Sequence, residues 1–178
     1  MTSTSVEPVE THEAIMAEAE RIQALGEAAE REARDPVNQP TINNWVEAMG
    51  NTNPRWQGGE APPSMAQVWT MYGLGGKPPA DDPLHAMMKV LTDAGYTAVL
   101  GTNCEQTYER TLKVGEQVQV TTALESVVGP KTTGMGVGYF VTSRNTWYVD
   151  DEVVARMLFR VLKFVPKVST SSTTGDGS

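Results

Sequence analysis

Clustered cations, paired cysteines and long apolar runs are what this sequence lacks. Lys and Arg together number 14 against 22 Asp and Glu, a formal charge of −8 over 178 residues. The cations are scattered, whereas a phosphate-backbone surface needs them clustered, so a nucleic-acid partner is disfavoured. Cys104 is the only cysteine. No internal disulfide can form, and a reducing compartment is expected. His12 and His85, the only histidines, stand apart from any carboxylate pattern that would orient them. No Cys/His spacing suggests a metal site. No apolar run approaches the ~20 residues that span a bilayer, and the first residues are polar and acidic rather than basic then apolar. The expectation is a cytoplasmic chain with no membrane partner.

Apolar material suffices for one core. Hydrophobic residues make up 39%, and trimming the polar ends leaves about 130 residues, enough to bury a sizeable interior. Three stretches are expected: a leader with an amphipathic helix (1–40), a folded domain (41–166), and a Ser/Thr/Gly-rich flexible linker or tail (167–178). Residues 11–34 are rich in Ala, Glu and Arg, which favours helix, and Ile15, Ile22, Leu25 and Ala29 form a narrow stripe. A short helix is expected over 41–49, capped by Thr41 and stopped by Gly50. After a turn-rich stretch, Pro62 and Pro63 open an apolar segment over 64–74, closed by Gly75 and Gly76. It contains Met65, Val68, Trp69, Met71 and Tyr72 and no charge, so a helix buried nearly all round is expected there. A further helix has Asp82 as N-cap and Pro83 at its first position, and ends before Gly95.

Everything beyond reads as strand, over 97–110, 116–127, 133–148 and 153–162. Residues 149–152 supply a tight hairpin turn. Helices followed by strands with one apolar face predict an α+β arrangement, an antiparallel sheet wrapped around a buried apolar helix.

The run Trp45-Val46-Glu47-Ala48-Met49-Gly50-Asn51-Thr52-Asn53-Pro54-Arg55-Trp56, followed by Ala61-Pro62-Pro63, resembles the MaoC-like dehydratase family, in particular its catalytically silent, N-terminal type of repeat. Asn103-Cys104-Glu105-Gln106-Thr107-Tyr108-Glu109-Arg110 and Leu112-Lys113-Val114-Gly115-Glu116 fall where that family has a strand and a turn. With its helix-rich start and trailing linker, the chain is similar to the larger subunit of the split hydratases of actinobacterial steroid side-chain degradation. The resemblance implies a single hot-dog fold with an N-terminal helical extension, a coenzyme A thioester as substrate, and no cofactor. A few local cations suffice for the phosphates of coenzyme A, so net acidity is no obstacle.

Active members carry Gly-Asp-x-Asn-Pro-x-His, whose Asp and His flank the water added to a trans-2-enoyl-CoA. Here the Asp position is Asn51 and the His position is Trp56, while Gly50, Asn53 and Pro54 are kept. An amide cannot take a proton near neutral pH, and an indole only donates a hydrogen bond. The resemblance thus implies no catalytic residue here. It implies a substrate-binding subunit of a heteromeric enoyl-CoA hydratase, inactive alone, with Asp and His from a smaller hot-dog partner. The acyl group would be bulky, of steroid side-chain type. Two other readings stand. A hot-dog acyl-CoA thioesterase is disfavoured because 64–74 holds no Asp or Glu. A non-enzymatic scaffold would tether a further enzyme through a region beyond the tail.

The expected substrate-binding residues are Asn51, Asn53, Pro54, Trp56, Pro63, Ser64, Met65, Trp69 and Tyr72. Each has a structural alternative: Asx-turns for the two asparagines, interface packing for Trp56, core for 64–74. Ser64 and Met65 keep N–H donors at the start of that segment while Pro62 and Pro63 do not, which weakens an oxyanion role. Gly134, Gly136 and Gly138, at period two, leave one strand face bare for close approach of a helix or for a flat acyl group; their spacing is not the dinucleotide fingerprint. Cys104 is expected as a small buried apolar residue, and His12 and His85 as surface or structural residues.

Overall fold

The computed structural model describes residues 11–167; the leader expected over 1–10 and the tail expected beyond Lys167 lie outside them. Antiparallel pairing builds a sheet in the order β1 (Arg31–Glu32), β5 (Gln119–Thr132), β6 (Gly136–Val149), β7 (Glu152–Pro166), β3 (Ala98–Tyr108). A separate ribbon pairs β2 (Glu60–Ala61) with β4 (Leu112–Lys113). Strands β6 and β7 meet through Asp150 and Asp151, with φ of 48° and 66°. Two left-handed residues make the turn whose twist suits a two-residue hairpin, as the acidic run at 149–152 suggests.

Register assigns the side chains to faces. One face carries Val120, Thr122 and Leu124 of β5, then Trp147, Asn145, Ser143 and Val141 of β6. It continues with Met157, Phe159 and Val161 of β7 and with Tyr108, Gln106 and Cys104 of β3. All the helices lie against this face, in two groups. Helices α1 (His12–Ala24) and α4 (Pro83–Asp93) bury Ile15, Ile22, Met87 and Leu91 against Leu124, Tyr139, Val141 and Val161. At the other end, α2 (Gln39–Ala48), the 3-10 turns Pro54–Gln57 and Pro63–Met65, and α3 (Ala66–Trp69) pack on Val118, Val120, Trp147 and Met157. The arrangement is the expected α+β one, with two cores on one sheet.

Helix α4 begins as its sequence predicts: Asp82 Oδ1 accepts the His85 N–H at 2.7 Å, with Pro83 in the first turn. Helix α2 starts earlier than expected. Its cap is Asn38, whose Oδ1 accepts the Thr41 N–H at 3.0 Å, and Pro40 occupies the first turn rather than ending the preceding segment. Helix α1 stops short of residue 34 because Gly26 takes φ of 75° and ends it. Residues beyond it run extended, and β1 adds to the edge of β5.

The continuous apolar helix expected over 64–74 does not form. After the 3-10 turn at Pro63–Met65 and the short α3, the chain becomes irregular, and Met71, Tyr72 and Leu74 are exposed. Lack of charge does not by itself make a helix. No side chain caps α3, and Val68, Trp69 and Thr70 are weak helix formers. The longer helices against the sheet are α1 and α4 instead.

Two further expectations are corrected. Cys104 is exposed, because β3 is an edge strand paired only with β7. The bare positions Gly136 and Gly138 admit the neighbouring strand and the Phe164 ring, not a helix: a Cβ on Gly138 would collide with the Lys163 carbonyl and with Phe164.

Candidate functional site

Between the two cores the helix-bearing face stays uncovered, and a cavity of about 480 Å³ opens there. That is within the usual range for small-molecule sites. Strand alternation supplies the floor: Val120 and Thr122 from β5, Ser143, Asn145 and Trp147 from β6, Met157 and Phe159 from β7. Gln67, Thr70, Met71 and Tyr72 wall one side, Leu84, His85 and Met88 of α4 the other, and Arg31, Pro78 and Asp82 complete the lining.

Polar groups hold this lining in place. The Trp147 indole N–H donates to Thr70 Oγ1 at 2.8 Å with both residues buried, which pins the irregular segment after α3 to the sheet. The Thr122 hydroxyl donates to Asn145 Oδ1 at 3.0 Å. The Arg31 guanidinium lies 4.4 Å from the centre of the Tyr72 ring, a cation–π contact across the wall. Burial raises the Tyr72 hydroxyl above its usual pKa, against an opposing pull from Arg31.

Asp82 and His85 share the cavity, yet the Asp82 carboxylate caps α4. Among the described residues no hydrogen bond joins it to the imidazole. No group of three or more His, Cys, Asp or Glu among the described residues is placed to hold a metal ion. No helix described is long and apolar enough to cross a membrane.

Beyond the cavity the same face of the sheet continues to the edge strand. In register, Thr122, Asn145, Met157 and Gln106 form one cross-strand row, and Gln106 Nε2 lies 3.3 Å from both Met157 Sδ and Cys104 Sγ. The Tyr108 hydroxyl donates to Gln106 Oε1. From Val99 onward every residue of β3 is exposed.

Of the expected substrate-binding residues, Tyr72 lines this cavity and the others do not. Asn51 Oδ1 accepts the Asn53 N–H at 3.1 Å and Asn53 Oδ1 accepts the Arg55 N–H at 3.0 Å, two Asx-turns that lead into the turn begun by Pro54. Asn51 also lines a separate, shallower hollow with Gln39, Asn43 and Gln57. Trp56 and Met65 are buried in the second core; Pro63 and Ser64 form the 3-10 turn beside it. Trp69 belongs to the same core and borders a hollow with Arg34, Thr41 and Tyr72.

Sequence reasoning missed the floor residues. A signal for them existed: the inward face of β6 reads Tyr139, Val141, Ser143, Asn145, Trp147, Val149, and its polar pair interrupts an apolar alternation.

Residues 23–157 match the family model for the FAS1-like, dehydratase domain region. The chain is 52% identical over 167 residues to the 3-oxo-4,17-pregnadiene-20-carboxyl-CoA hydratase alpha subunit of Mycobacterium tuberculosis, spanning 88% of this chain and 54% of that protein. A probable enoyl-CoA hydratase alpha subunit of Thermomonospora curvata is 38% identical over 159 residues, 80% of this chain and 49% of its own length. The chain thus spans about half the length of the curated relatives it matches. In the crystal structure of the ChsH1-ChsH2 complex from M. tuberculosis, one chain matches with a TM-score of 0.83 and 50% identity, over 86% of this chain and 98% of that one.

Proposed function

Because this chain belongs to the FAS1-like dehydratase family of hot-dog domains, we propose that it is the acyl-binding, catalytically silent part of a heteromeric enoyl-CoA hydratase. A smaller hot-dog partner supplies the Asp and His. The observations that carry this reading are the largely apolar cavity between the two cores, floored by β5, β6 and β7, and the exposed edge strand β3 next to β7. A long exposed edge with unpaired backbone groups invites cover by another chain, and β3 is the surface we assign to the partner. The two relatives are named as alpha subunits and the matched structure is a two-component complex, which supports the assignment.

In hydration, a base takes a proton from water as its oxygen attacks the β-carbon of the enoyl thioester, and an acid returns a proton to the α-carbon. Acid–base groups are sufficient and no cofactor is needed. The work of this chain is to hold the bulky acyl group, steroid-like in size, and to keep water off it. Asn51 and Trp56 stand where active members carry the acid–base pair. Here one shapes a turn and the other fills a core.

The test is hydration of trans-2-enoyl-CoAs of increasing bulk by the purified chain, alone and with a co-purified small hot-dog subunit. Activity only in the mixture is expected, and turnover by the chain alone overturns the reading. Attachment of a further enzyme through a region beyond the tail (167–178) belongs to the same proposal; pull-down by the chain without its tail should keep the small subunit.

A second reading is favoured by the presence of Asp82 and His85 in the same cavity. They would then be an acid–base pair within this chain. Its signature is activity of the isolated chain that disappears in His85→Ala, whereas the proposal above expects no activity of the isolated chain with or without His85.

A further inference from the structure

We propose that Asn145, oriented by Thr122, makes this cavity select acyl groups bearing a hydrogen-bond acceptor, such as a ring ketone, over hydrocarbon groups of the same shape. The inference rests on the cavity being the acyl site.

Asn145 lies on the core-facing side of the central strand β6, where an apolar residue would pack more cheaply. Ser143 beside it is fully buried, its hydroxyl turned toward the Phe159 carbonyl at 3.5 Å. Asn145 is only half-buried and faces the cavity. Its Oδ1 is engaged by the Thr122 hydroxyl at 3.0 Å, which leaves the two Nδ2 hydrogens as its free polar atoms.

No described residue accepts a hydrogen bond from them. Val120 and Phe159 have no polar side-chain atom, the Trp147 N–H is a donor already spent on Thr70, and Met157 Sδ lies against Gln106 Nε2. Water serves this amide when the cavity is wet. A hydrocarbon ligand that displaces the water strands both hydrogens, whereas a carbonyl oxygen restores the bond. A site built to hydrogen-bond its ligand rejects the analogue that lacks the group.

The test uses the chain with its co-purified small subunit, the assembly that the proposed function requires. Calorimetry compares a polycyclic carboxyl-CoA bearing a ring ketone with its deoxo counterpart. The ketone should bind roughly tenfold more tightly, the size of one hydrogen bond against one stranded donor. Asn145→Leu should abolish the preference by weakening ketone binding. Asn145→Asp keeps the shape and removes the donors, so it should favour the ring alcohol over the ketone. Thermal melts establish that each variant is folded. Equal affinity of wild type for ketone and deoxo ligands, or an unchanged preference in both variants, overturns the inference and leaves the acyl-pocket reading standing. Failure of both ligands to bind the wild-type complex overturns the pocket reading and this inference with it.

Discussion

Thr70→Val should both destabilise the fold and loosen the cavity wall. Thr70 and Trp147 are 4% and 3% exposed, and the threonine oxygen is the acceptor for the indole N–H at 2.8 Å. Valine keeps the shape and removes the acceptor, which strands a buried donor at a cost of about 1–3 kcal/mol. A chain of this size loses roughly 2–4 °C of Tm per kcal/mol, so a fall of roughly 2–12 °C is expected by thermal melting followed by circular dichroism. Thr70→Ser retains the hydroxyl and should recover most of that loss. The double variant with Trp147→Phe closes a cycle in which removal of donor and acceptor together costs less than the sum of the single changes, by about 1 kcal/mol. Because Met71 and Tyr72 follow the pinned residue and wall the cavity, Thr70→Val should also weaken binding of a bulky acyl-CoA. A Thr70→Val chain that melts within about a degree of wild type, with no coupling to Trp147→Phe, would refute the pinning argument.

Other parts of the molecule are open to equally direct tests. Leu91 on α4 is fully buried, and Leu91→Ala should cost about 2–5 kcal/mol in urea denaturation. On the same helix Lys89 is exposed in an ion pair with Asp93, and Lys89→Ala should change stability by less than about 0.5 kcal/mol. Asp151 holds φ of 66°, so Asp151→Gly should raise Tm by relieving about 1 kcal/mol of left-handed strain. A lower Tm would speak against the hairpin turn. Burial, with Tyr96 and Glu13 nearby, pushes the Tyr139 hydroxyl up to about 12. An unfolded tyrosine titrates near 10, so the neutral phenol favours the fold fully below about pH 10, and that contribution is lost as pH rises through about 12. Tyr139→Phe should therefore resist alkaline unfolding better than wild type, and its phenolate absorbance titration should lack the latest component.

Much of the scaffold was decided locally and could be read before folding. Asp82 and Pro83 start α4 because a carboxylate accepts an early N–H and a proline has none to lose. The alternation over 153–162 and the acidic turn before it make the last hairpin for reasons contained within those residues. The two Asx-turns at Asn51 and Asn53 are likewise a matter of residues two positions apart. The limits of α1 and the fate of 64–74 depended on competition. Gly26 outweighed a helix-rich composition, and a buried bond between Thr70 and Trp147 sits where a helix was expected to continue. The cavity was not decided locally at all. Its floor joins Thr122, Asn145 and Met157 across three strands, and only the pairing register makes them neighbours. The exposure of Cys104 follows from sheet order in the same way. Residue chemistry along the chain sets which elements can form, but a cavity and an open edge are relations between distant segments, and packing alone creates them.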